Sequence, residues 1–423
     1  MNYKQNVLIL TLSFLVTSLF AQDMKYANKL IKELSSESYY GRGYINKGDS
    51  IAAVYLSKEM KQLKLDGFES NYYQSYTTPM NTYPEDPVLI LGDNKLESAQ
   101  DFIVYPDSPS CEGTFDLLWL NAEMLTQRKA RRDFLKKDLS NTFLALDSAG
   151  LNNKKLYEFA YDLVNYNVFG AKGIVVKQNK LKFSARTKLN DFPSLLVKSP
   201  KLDATVSKIT VKIKNKFIES YQTQNLLGYI QGKSDTCIVY CAHYDHLGML
   251  GSKVYPGAND NATGVAMVLN LAKHYKKQRR KPQYTQVFIL FSGEEAGMLG
   301  SKYYVEKPLF PLEKTKMVLN FDMIGTGSKG IVVYNGVEFP EEMALFKKIN
   351  NKERHVNKLL EARVVPFSDH ASFYNKGVKA VFFYADGKND VYHETTDILE
   401  NMTFYQYGGI FKLVRDFSDQ LHQ

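Results

Sequence analysis

The chain has 423 residues, more than one average domain needs, so it suits two domains or one large domain with an insertion. Its hydrophobic content of 44% with 23% charged residues is ordinary globular composition and excludes a disordered or fibrous chain. The formal net charge is +9, but no long basic tract interleaves with aromatics, which argues against a nucleic-acid partner.

Residues 1–21 read as a cleaved secretory signal. Lys4 supplies a short positive region, residues 7–20 an apolar stretch, and Ala21 a small residue for cleavage. The apolar run is short for a span of about 20 residues, so no stable membrane anchor is expected. A secreted or periplasmic location follows. Three cysteines make no disulfide scaffold. Cys237 and Cys241 sit four apart in one expected strand, too far to bridge each other. Cys111 can pair with one of them or stay free.

Helices are expected at 23–36 and 50–65, the second with apolar residues at Ile51, Val54, Leu56, Met60 and Leu63. Between them, YYGRGY reads as a turn-rich loop. Residues 22–105 are assigned to the N-terminal part of the main domain. The texture then changes: 106–215 is expected to be an inserted smaller domain with strands at 115–120, 141–146, 174–176 and 192–197 and a helix at 154–167. From 216 to 423, apolar strands at 236–245, 286–292, 317–323, 330–334 and 378–384 alternate with helices at 264–278, 295–307 and 404–421. This alternation predicts an α/β fold, with a mostly parallel sheet covered by helices.

Chemistry concentrates where those strands end. HYDHLG carries His243 and Asp245, GANDNATG carries Asp260, and FSGEEAGMLGS carries Glu294 and Glu295. NFDMIG carries Asp322, and YHETTD carries Tyr392 and His393. Singly these signals are weak, since a histidine in HxD is usually an ordinary surface or core residue. Asp322 is harder to dismiss, because it lies within the apolar run VLNFDMIG and a buried carboxylate needs a partner or a metal. Imidazoles and carboxylates at strand ends suit a zinc site. Asp245 can take the second proton of His243 and fix its tautomer, and Glu294, beside a ligand, can serve as general base.

The ordered set HYDHLG, GANDNATG, FSGEEAGMLGS, NFDMIG, SDHASF and YHETTD resembles peptidase family M28, the co-catalytic zinc aminopeptidases. The resemblance covers about residues 222–400. It implies a three-layer α/β/α zinc-exopeptidase-like fold and two zinc ions. Asp260 would bridge both ions, His243 and Asp322 would complete one set, and Glu295 and His393 the other. Glu294 would be the base, Tyr392 would help hold the tetrahedral intermediate, and Asp260–Asn261 would be a cis peptide. GAKGIVV and FPSLLV resemble the protease-associated domain that some members insert. In SDHASF, Ser368 or Asp369 reads as a helix cap and His370 as structural, while His246, His274, His355 and His422 read as surface or supporting residues. The implied activity is aminopeptidase action on peptides with a free N-terminus. A glutaminyl cyclase-like acyltransferase on the same fold and a non-catalytic receptor-like protein are the alternatives.

Overall fold

A computed structural model describes residues 22–68, 71–147, 151, 153–388 and 391–421. The expected signal at 1–21 lies outside the described residues. No helix among those described is long and apolar enough to cross a membrane.

Among the described residues the chain builds two eight-stranded sheets and a small pair of strands, Met249–Leu250 and Lys253–Val254. The first runs, in spatial order, Tyr73–Thr82, Lys216–Ile230, Tyr284–Phe291, Ser234–His243, Thr315–Phe321, Ala380–Asp386, Gly330–Tyr334 and Leu359–Glu361. The four central strands, from Tyr284–Phe291 to Ala380–Asp386, are mutually parallel. Antiparallel strands flank them on both sides. The sheet is mixed and mostly parallel, as expected, with the parallel part at its centre.

Strand Ser234–His243 explains why the sheet is covered twice. Successive side chains on a strand point to opposite faces. Ile238, Tyr240 and Ala242 enter one core, with Leu30, Leu56, Val268, Phe346 and Phe417 from helices at 24–34, 48–62, 263–277, 340–353 and 407–420. Cys237, Val239 and Cys241 enter the other, with Tyr304 and Phe373 from helices at 299–306 and 370–374. Cys111 lies in the core of the second sheet, and all three thiols are buried and unbridged.

The second sheet has the order 94–96, 88–91, 208–213, 111–119, 142–147, 173–178, 194–198 and 102–104. Its short strands at 88–104 come from the stretch assigned by texture to the main domain. They pair with strands at 194–198 and 208–213, so this unit begins before residue 106. The chain leaves the first sheet at Thr82 and re-enters it at Lys216, and these two residues are register partners.

One helix boundary differs from expectation. The helix expected to start at Glu295 starts at Leu299. Gly293 and Gly297 have φ of 71° and 110°, and Met298 has φ of 60°. This left-handed backbone cannot belong to an α-helix, so Glu294 and Glu295 sit in a loop above the strand end.

Candidate metal centre

The parallel strands share one carboxyl edge, where α/β folds place their sites. His243 ends one strand, Asp322 follows Phe321 at the end of another, and Glu294 and Glu295 follow a third. His393 arrives on the loop after Ala380–Asp386 with φ of 59°. The structure brings these five groups together around a sixth, Asp260.

Asp260 is at the centre. Its Oδ1 lies 3.3 Å from His243 Nε2, and its Oδ2 lies 3.3 Å from His393 Nε2. Asp322 Oδ1 stands 3.4 Å from His243 Nε2, and Glu295 Oε2 stands 3.1 Å from His393 Nε2. Glu294 Oε2 is 3.9 Å from His243 Nε2. Among the described residues, side chains close enough together to hold a metal form three overlapping sets here, His243 with Glu294 and Glu295, His243 with Asp260 and Asp322, and His246 with Asp260 and Glu295, and His393 Nε2 stands beside the third, within 3.3 Å of Asp260 and Glu295.

Asp260 is held through its backbone. GANDNATG turns into helix Thr263–Lys277 through a cis Asp260–Asn261 peptide. Asn261 accepts from the Gly264 N–H at 2.9 Å and donates to the Phe321 carbonyl at 2.8 Å, tying the helix start to the strand that ends beside Asp322. A Cβ at Gly264 would lie 2.3 Å from both Asn261 Oδ1 and the Phe321 carbonyl, so only glycine fits there. Asp397, the last residue of YHETTD, accepts from the N–H groups of Asn259 and Asp260 at 2.9 and 3.0 Å.

The carbonyl side is held by Arg42, which the sequence offered only as part of a loop. Its guanidinium is fully buried and donates to the carbonyls of Tyr244, Leu34, Pro256 and Gly257 at 2.7–2.8 Å, and to that of Asp260 at 3.3 Å. Burial lowers its pKa to about 10, against the opposing pull of Asp397 and Asp260. Removing the guanidinium strands several buried acceptors at about 1–3 kcal/mol each. We expect Arg42→Met to lower the chemical-denaturation midpoint, with a cost of about 3 kcal/mol or more. An unchanged midpoint would mean that water replaces the guanidinium.

Three supporting residues, Asp245, Ser368 and Asp369, depart from expectation. His243 Nδ1 sits 3.1 Å from the backbone carbonyl of Asp245, while the Asp245 carboxylate is 3.7 Å away. The carbonyl, not the carboxylate, is therefore the nearer partner for the second imidazole proton. The Asp245 carboxylate accepts instead from the Glu294 N–H and the Tyr44 hydroxyl, at 3.1 and 3.2 Å, and so fixes the Glu294 loop. Ser368 makes no side-chain helix cap: its hydroxyl donates to Asp322 Oδ2 at 2.8 Å and accepts from Asn320 at 2.7 Å. Asp369 makes no side-chain cap bond either. His246 is fully buried with Nδ1 2.7 Å from Glu295 Oε1.

Carboxylates outnumber imidazoles in the cluster. Four carboxylates converge on His243 and His393. Burial holds the Glu294 carboxyl well above its usual range, against the pull of His243. Burial would depress His393, but Glu295 and Asp260 raise its pKa to about 10. His243 Nε2 and Asp322 Oδ1 are buried without a hydrogen-bond partner. Buried carboxylates and unpartnered nitrogen and oxygen donors facing one another fit divalent cations with a taste for both atom types, zinc foremost.

A cleft of about 460 Å³ opens over the cluster. Met323, Tyr334, Phe382 and Tyr384 line one wall, Tyr392 and His393 another, and Lys180 and Lys182 reach it from the second sheet's unit. Tyr392 stacks on His393 with ring centres 3.8 Å apart.

The chain is similar to several known proteins. The chain is 28% identical over 229 residues to a probable leucine aminopeptidase of Trichophyton verrucosum, covering 49% of this chain and 58% of that protein. It is 26% identical over 255 residues to aminopeptidase YwaD of Bacillus subtilis, covering 56% of this chain and 54% of that protein. The matched stretches thus span little more than half of these relatives. The fold matches a zinc aminopeptidase from Bacillus subtilis with a TM-score of 0.69, at 20% identity and over 95% of both chains. It also matches an aminopeptidase from Aneurinibacillus with a TM-score of 0.64, at 21% identity, over 95% of this chain and 94% of that one. Residues 225–418 match peptidase family M28. That stretch carries all six converging acidic and imidazole groups, so the match to peptidase family M28 falls on the part of the chain that holds the candidate site.

Proposed function

We propose that the chain is a zinc-dependent aminopeptidase that removes N-terminal residues from peptides, holding two zinc ions through His243, Asp260, Glu295, Asp322 and His393. The observation that carries this reading is the Asp260 carboxylate, whose two oxygens face two different histidines, each with its own further carboxylate. A paired metal site needs such a shared ligand between two donor sets. The names of the relatives support the same activity.

When bound, the zinc ions supply a Lewis acid for the scissile carbonyl and lower the pKa of water from about 15.7 towards 7. Glu294 takes the proton of the attacking water and returns it to the leaving amine. Burial, reinforced by Asp260 and Glu295, keeps the Tyr392 phenol protonated, so its hydroxyl can donate to the developing oxyanion. Acidic groups at the cleft floor favour the cationic N-terminus of a substrate, and the wall of Tyr334, Phe382 and Tyr384 accepts an apolar first side chain. Residues 1–21 direct the protein to the secretory or periplasmic side. The second sheet's unit acts as a protease-associated-like domain that narrows access.

The test is metal content beside hydrolysis of leucine p-nitroanilide. We expect about two zinc ions per chain, loss of turnover on chelation and recovery with added zinc. Turnover that survives complete removal of metal would overturn the reading.

A further inference from the structure

We infer that Lys182, assisted by Lys180, binds a carboxylate on the leaving side of the substrate, which makes very short peptides with a free C-terminus the preferred substrate class. This inference rests on the aminopeptidase reading and adds to it a specificity determinant from outside the metal-binding part of the chain.

The argument begins in the sequence NKLKFSAR. Leu181 and Phe183 are buried, while Lys180 and Lys182 are exposed, so the segment alternates as an extended chain does. The buried members pin it. Phe183 stacks on Tyr255 with ring centres 4.9 Å apart, and Tyr255 lies five residues before Asp260 on the same loop. Both lysines line the cleft over the metal centre. Lys182 Nζ lies 5.2 Å from the centre of the Tyr392 ring, and that ring stacks on His393. The ammonium group therefore stands one aromatic ring away from the cluster.

That distance selects a substrate. One extended residue spans about 3.3–3.6 Å. A carboxylate one or two residues beyond the scissile bond thus falls within reach of a long, flexible lysine. Apart from His393, the cleft-lining residues near the cluster are acidic, aromatic or apolar, so the lysines are the natural partners for an anion. A carboxylate held by the lysines orients the peptide with its amine end toward the cluster. Two sources share this chemistry: the C-terminal carboxylate of a dipeptide or tripeptide, and an acidic side chain just after the scissile bond.

The test uses the zinc-loaded protein with four substrates: Leu-Gly, Leu-Gly-amide, Leu-Asp-amide and Leu-Asn-amide. We expect the wild type to favour Leu-Gly over its amide by about tenfold in kcat/KM, which corresponds to about 1.4 kcal/mol. Lys182→Gln should bring that ratio near one, and Lys182→Glu should invert it. Raising the salt concentration should shrink the wild-type ratio, because an exposed charge contact is screened. Calorimetric titration with the uncleaved D-Leu-Gly and its amide gives a readout independent of turnover, with tighter binding of the acid in the wild type only. A preference for Leu-Asp-amide over Leu-Asn-amide, without one between Leu-Gly and its amide, would identify the side chain as the source. Equal rates within both pairs, or an acid preference that survives Lys182→Gln, would overturn the inference and leave the aminopeptidase standing. Failure to cleave any of the four would overturn the aminopeptidase reading itself.

Discussion

Glu294→Gln should lower kcat by about 10²–10⁴ while zinc content stays unchanged. The two adjacent glutamates occupy different positions. Glu295 lies 3.1 Å from His393 and 2.7 Å from His246, inside the cluster, whereas the nearest cluster nitrogen to Glu294 is His243 Nε2 at 3.9 Å. Glutamine preserves the shape of Glu294 but cannot take a proton from water or return one to the amine. Glu295→Gln should do the opposite and release metal, since it removes a charged donor facing His393. Metal analysis and steady-state kinetics on both variants separate the roles. If Glu294→Gln empties the site and Glu295→Gln keeps both ions, the two assignments are reversed.

Asp260→Asn should be the most damaging single change at the cluster. The carboxylate offers one oxygen to each histidine side, and an amide offers a single oxygen and no charge. Zinc content should fall below one ion per chain. Turnover should drop by about 10³-fold or more, because a metal ion contributes several kcal/mol and each 1.36 kcal/mol is tenfold. The metal-free variant should also melt earlier than the metal-free wild type, since, against the opposing effect of burial, His243 and His393 hold the Asp260 carboxyl well below its usual range and the amide loses that pairing. Retention of two ions by Asp260→Asn would refute the bridging role.

Much of this centre is legible in the sequence, because strand ends in an α/β fold mark themselves. Val239 to Ala242 and Val287 to Phe291 are continuous apolar runs, and the polar residue that follows each run must reach the sheet's edge. Asp322 stands out by the same logic. What escapes the sequence acts through the backbone. Arg42 binds carbonyl oxygens, which every residue possesses, so no pattern of partners reveals it. Ser368 looks like a helix cap because it precedes a helix, yet its hydroxyl turns to Asp322 instead. The delayed helix at Leu299 depends on Met298 adopting a left-handed conformation that methionine does not advertise. The strands at 88–104 are short and lie among prolines and asparagines, so local composition conceals that they belong to the second sheet.

The paired residues Thr82 and Lys216 carry a consequence for how the chain reaches this state. The Thr82 hydroxyl bonds the Lys216 carbonyl across a sequence separation of 134 residues. Closing so long a loop is entropically costly and slow to search while the intervening chain is unfolded. Once the strands between Val88 and Ile213 have collapsed on their own core, the two exit points lie side by side. The long antiparallel pair can then zip as a hairpin would, with a folded body in place of a turn. The second sheet can thus serve as a tether for the first, and its last strand ends at Ile213, well before Glu294, Asp322 and His393 in the order of synthesis.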